Sequence, residues 1–158
     1  MVQTVEIPLN EDGVLKKISK PSLSKYGIYV IRNGNVVIRV GESSSGFERI
    51  SKGFRVKLRH IRKGKEKKNY LAYSWRENYK GLTLHVDYFS LDASPFSEDH
   101  LRRALEAEIT FQFRIALRAW PQSMSEIHFL ERYRENTSLV IKASEAIGHY
   151  GYEYNVAV

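Results

Sequence analysis

The chain has 158 residues, with 25 Lys+Arg against 18 Asp+Glu, a net charge of +7 and no cysteine. That length suits one domain with its own core, and the missing cysteine excludes a disulfide framework, a thiol nucleophile and any Cys-ligated zinc. No apolar run approaches the roughly 18 residues needed to span a bilayer, and the first residues lack a basic region followed by an apolar one, so the expectation is a cytoplasmic protein with no membrane partner.

Residues 2–9 alternate weakly and read as a short edge strand, since Pro8 has no N–H for a ladder. Residues 26–32 (YGIYVIR) and 35–40 (NVVIRV) are β-branched and aromatic. They flank Asn33-Gly34, a strong hairpin signal. Apolar residues then recur at Phe47, Ile50, Phe54, Leu58 and Ile61, the spacing of one helix. Gly53 weakens that helix by roughly 1 kcal/mol relative to alanine. Residues 63–69 form a basic loop and 70–79 lean to helix. Residues 82–89 alternate as a half-buried strand, with Leu82, Leu84, Val86 and Tyr88 on one face. Ser97 is placed to cap a long helix, with Glu98 and Asp99 in its first turn. Pro121 ends that helix after residue 119. A last helix covers 137–147, with Gly148 as its stop. The order predicts one α/β domain of the α+β kind over 1–158. Its core is a small, mostly antiparallel, three-stranded central sheet flanked by helices over 26–126, with an N-terminal addition and a C-terminal helical addition over 127–158.

The charge is concentrated. Residues 48–80 hold 12 Lys/Arg and 3 Asp/Glu, whereas the remaining 125 residues sum to −2. A local basic field attracts polyanions, of which nucleic acid is the commonest in the cytosol. The competing explanation is a solvated helix face followed by a Lys-rich loop.

One residue does not fit the long helix. At about 100° per residue, Leu101, Ala104, Leu105, Phe111, Ile115 and Ala119 share an arc, and Glu108 falls near its middle. Glu106 points elsewhere, with Arg102 and Phe113. A lone buried carboxylate is costly unless it is paired or bound to a metal. Glu108 therefore either pairs with an arginine, emerges at the sheet edge, or binds a hard divalent cation such as Mg²⁺.

The hairpin resembles that of the GIY-YIG nuclease superfamily, in its single-domain restriction- or homing-type members. Gly27-Ile28-Tyr29 reads GIY, and Arg39-Val40-Gly41 stands where the second strand carries YIG or YVG. Arg49 lies eight residues after that glycine, at the place of the family's helix arginine. The stretch 104–108 (ALEAE) resembles the one ending in the family's metal-binding glutamate, and selects Glu108. The likeness covers residues 26–126.

The resemblance implies a metal-dependent endonuclease acting on double-stranded DNA, with Mg²⁺, or Mn²⁺ as its substitute. In it Tyr29 acts as general base or orients the water, and Arg39 stabilises its phenolate. Arg49 holds the scissile phosphate, and Glu108 holds the metal. His128, with Glu126 close by, is a candidate for the late polar position. Arg55, Lys57, Arg59, Arg62, Lys63, Lys65, Lys67 and Lys68 would track DNA phosphates. The terminal additions could supply target recognition or a homodimer contact. The chain departs from the pattern at two places: Arg39 replaces the second tyrosine, and Gly53 replaces the histidine one turn after the helix arginine. The alternative is a catalytically inactive nucleic-acid-binding module on the same scaffold. The G-x-x-x-x-G spacing of 41–46 is no phosphate loop, because Phe47-Glu48 follows instead of Lys-Ser/Thr.

Overall fold

The computed structural model describes residues 1–62, 68–127 and 136–154, without the side chains of 62 and 68–72. Four strands, β1 (Val2–Pro8), β2 (Gly27–Asn33), β3 (Val36–Ser43) and β4 (Thr83–Ser90), form one antiparallel sheet in the order β1-β4-β2-β3. Helices α1 (Phe47–Lys52) and α2 (Leu58–Arg62) precede a 3₁₀ helix over Lys68–Tyr79. Helices α3 (Asp99–Leu117) and α4 (Thr137–Gly148) follow β4. The fold is α+β. Among the described residues, no helix is long and apolar enough to cross a membrane.

Each face of the sheet buries its own core. Ile28, Val30, Val37 and Val40 pack with Leu105, Ile109 and Phe113 of α3 and with Leu139, Ala143 and Ile147 of α4. On the other face Tyr29, Ile31, Ile38, Leu84, Val86 and Tyr88 pack with Phe47, Ile50 and Phe54. Each large side chain buried this way contributes about 1.5–3 kcal/mol. The exposed edge of β3 is covered by the segment after α3: the Gln122 and Ser123 amides donate to the Val37 and Ile38 carbonyls. Such cover removes a template for intermolecular pairing.

Several expectations are corrected. The sheet has four strands rather than three, because the N-terminal strand pairs with β4 along its full length, from Val2↔Phe89 to Pro8↔Thr83. The Pro lies on the edge strand, as its missing donor requires. Asn33 pairs with Val36, so the two-residue turn is Gly34-Asn35, with Gly34 at φ 57°. The expected single helix over Phe47 to Ile61 is two helices, broken at Gly53. Ser97 does not cap α3. Instead, Ser94 caps a short 3₁₀ turn, Pro95–Ser97, and α3 starts after Glu98.

The break after α1 is held by Arg76, whose side chain is completely buried. Its guanidinium donates to the carbonyls of Tyr73 (3.1 Å), Gly13 (2.6 Å) and Val56 (2.8 Å). Desolvation pushes its pKa down to about 10. Three carbonyls satisfy the buried donors and tie the N-terminal turn, the α1–α2 connection and the 3₁₀ helix together. Arg76→Ala strands those acceptors and leaves a cavity, so it is expected to cost about 3 kcal/mol of unfolding free energy, measured by urea denaturation.

Candidate active site

The site begins at the β2–β3 pair. Tyr29 faces Gly41 across the ladder, and opposite residues share a face of the sheet. The Tyr29 ring lies directly over Gly41, where a Cβ would collide with its phenolic end. Arg39 pairs with Ile31, which puts it on the same face, one step along the strand. A β-bulge at Ile31/Arg32 accommodates the extra residue there. The Arg39 guanidinium lies 5.5 Å from the centre of the Tyr73 ring. Its Nε is buried and has no hydrogen-bond partner among the described residues.

Arg49 stands on α1, exposed on one side. Burial opposes its charge, but Tyr29, Tyr73, Glu42 and Glu106 around it raise its pKa on balance. Tyr29 is only 2% exposed. Burial pushes its phenol well above the ordinary value and Tyr73 adds to this, while the charges of Arg39 and Arg49 oppose. Glu106 on α3 is half-buried. Its carboxyl is pushed up to about 7, first by desolvation and then by the Glu42 carboxylate, against the pull of Arg39, Arg49 and Arg103. Tyr29, Arg39, Arg49, Tyr73, Glu42 and Glu106 therefore form one electrostatic cluster.

A cavity of about 610 Å³ opens onto it, with Glu42, Arg49, Arg103, Glu106 and Glu126 among its lining. Glu42 is held there by Arg102, which is 2% exposed and donates to Glu42 Oε2 (2.6 Å), Asp99 Oδ1 (2.8 Å) and the Ser97 carbonyl (2.6 Å). Among the described residues, no three His, Cys, Asp or Glu side chains converge into a complete metal cage. Two carboxylates on one cavity wall, one of them resisting ionisation beside the other, are instead the hard oxygen donors that a partly hydrated Mg²⁺ uses together with phosphate oxygens.

The structure brings together Tyr29, Arg39 and Arg49, but not Glu108. Glu108 is buried in the seam between α3 and α4. There it accepts a hydrogen bond (3.0 Å) from Gln112, which also reaches the Val140 carbonyl (3.1 Å) and Ser144. The α3 carboxylate within electrostatic reach of Tyr29, Arg39 and Arg49 is Glu106. The helical arc misled because α3 packs against both the sheet and α4. Its apolar stripe follows Leu105, Ile109 and Phe113, whereas Ile115, placed in the expected arc, is 52% exposed. Of the residues expected on the other side of α3, Glu106 lines the cavity and Arg102 binds Glu42, whereas Phe113 joins the core.

Of the residues expected to track DNA, Arg55 pairs with Glu48 (2.9 Å) and Lys57 with Asp12 (3.6 Å), and Arg59 is exposed. His128, Lys63, Lys65 and Lys67 lie outside the described residues, as do the side chains of Arg62 and Lys68. Sequence reasoning passed over Glu42, although it follows Gly41 directly, and Tyr73, for which no local signal exists.

No family model, curated protein or solved structure matches the chain.

The raised Glu106 carboxyl has a consequence for stability. Unfolded, it loses its proton near the ordinary 4.5; folded, it keeps it until about 7. The native state thus binds more protons across that window, and stability falls as pH rises through it. Glu106→Gln removes the charge, so it should raise Tm relative to the parent at pH 8 and leave the two alike at pH 4, as read by thermal denaturation at both pH values.

Proposed function

We propose that the chain is a metal-dependent endonuclease of the GIY-YIG kind, hydrolysing phosphodiester bonds in double-stranded DNA. The observation that supports this reading is that Arg49 and Glu106, on the cavity lining, share one electrostatic cluster with the glycine-seated Tyr29 and with Arg39. That set holds a cation, a proton acceptor and a donor pair for phosphate oxygens.

Arg49, at the cavity wall, binds the non-bridging oxygens of the scissile phosphate and stabilises the charge that builds on them. The unpartnered Arg39 Nε is a further donor on the same side. Glu106 takes the metal-holding role, with Glu42 beside it. Mg²⁺ bound there would polarise the phosphate and stabilise the departing oxygen. Tyr29 orients the attacking water; only its phenolate form accepts the proton, and burial opposes that form while the charges of Arg39 and Arg49 favour it.

A second reading, a nucleic-acid-binding module without catalysis, is favoured by one observation: the Tyr29 phenol is almost wholly buried. Cleavage separates the two. Supercoiled plasmid should be nicked with Mg²⁺ and not with EDTA. Arg49→Ala and Glu106→Gln should each slow nicking by about 10²-fold or more, with binding in gel shift retained. Glu108→Gln should cut at the parental rate. Binding without cleavage in Mg²⁺ or Mn²⁺ would favour the inactive module, and no binding at low salt would exclude both.

A further inference from the structure

The chain lacks both the second strand tyrosine and the helix histidine of the pattern it resembles, and one side chain from outside that pattern meets both positions. Tyr73 comes from the 3₁₀ helix over Lys68–Tyr79 and is 8% exposed. Its ring rests on the backbone of Gly53, four residues after Arg49, where a Cβ would collide with ring carbons. The Arg39 guanidinium lies over the same ring. Phe54 packs edge-on against Tyr73 at 6.3 Å between centroids, and buried Arg76 binds the Tyr73 carbonyl. The ring is thus fixed from below by a glycine, from the side by an aromatic residue and along its backbone by an ion.

We propose that Tyr73 is a positioning residue of the catalytic site: its ring, seated on Gly53, holds the Arg39 guanidinium toward Tyr29. The proposal rests on the nuclease reading. An arginine has many rotamers, and a ring beneath the guanidinium restricts them where its buried Nε has no hydrogen-bond partner among the described residues. The exchange is complementary. The strand position loses a tyrosine and gains a cation, the helix position loses its side chain, and the vacated volume admits a tyrosine that anchors the cation. Because the ring, not the hydroxyl, carries the stack, phenylalanine should serve in its place.

The test is plasmid nicking with Mg²⁺ by the full chain. Tyr73→Leu should lower kcat by about 10²-fold with little change in KM, and Tyr73→Phe should restore it to within about threefold of the parent. Arg39→Ala should lower kcat to a similar degree, and the double variant should be no worse than Arg39→Ala alone, since residues acting through one contact are not additive. Circular dichroism and gel shift confirm that each variant folds and binds DNA. Gly53→Ala, which pushes the ring from its seat, gives a second route to the same loss. A Phe variant as impaired as the Leu variant, or additive losses with Arg39→Ala, would overturn the positioning role while leaving the nuclease reading intact. A parent protein that cuts no DNA would overturn both.

Discussion

Three tyrosine rings lie on three glycines, and the rest of the molecule is arranged around those contacts. Tyr88 covers Gly27, Tyr29 covers Gly41, and Tyr73 covers Gly53. A ring can approach the backbone this closely only where no Cβ intervenes. Two of these stacks lie on one face of the sheet, and the third seats the 3₁₀ helix against α1. Tyr88 also donates to the Ser24 carbonyl (2.9 Å), fixing the strand that enters β2. The hairpin, its neighbour β4 and α1 are thereby locked in one arrangement, and the candidate site lies at its edge.

Buried arginines complete that lock. Among the described residues Arg76 bonds no carboxylate and is satisfied by three carbonyls, so it acts as a backbone clasp. Arg102 is satisfied by two carboxylates and a carbonyl, and presents Glu42 to the cavity. A guanidinium suits both tasks because its five donors lie in a rigid planar fork. Buried ion pairs are weak sources of net stability but specific about geometry. At this site geometry matters more, since Glu42 raises the Glu106 carboxyl only from a fixed place beside it.

The electrostatics of the cluster pull in opposite directions. Burial alone would leave Tyr29 inert and Glu106 protonated, whereas two arginines draw both toward their charged forms. A cation bound at the carboxylates and a polyanion brought to the arginines would each change that balance. The site is therefore sensitive to what enters the cavity. Some of the basic charge that seemed a plain polyanion track is already committed, with Arg55 and Lys57 paired to Glu48 and Asp12. Arg49, from the same basic segment, belongs to the cluster with Tyr29, Tyr73, Glu42 and Glu106.

The local pieces follow from short-range patterns. The hairpin, β4, α3 and α4 were legible because period-two and period-3.6 patterns and turn residues act over a few neighbours. Tyr29, Arg39 and Arg49 were legible because their spacing is set within one hairpin and the helix after it. Which α3 carboxylate lies on the cavity lining is set by tertiary packing. Glu106 and Glu108 are two residues apart on one helix, and which of them faces the cavity depends on where α4 docks. Tertiary packing also decided that β1 completes the sheet and that Tyr73 reaches Arg39, since both contacts join segments far apart in the chain. Such contacts leave no local period or spacing to read, because they are set by which surfaces remain to be buried once the local elements have formed.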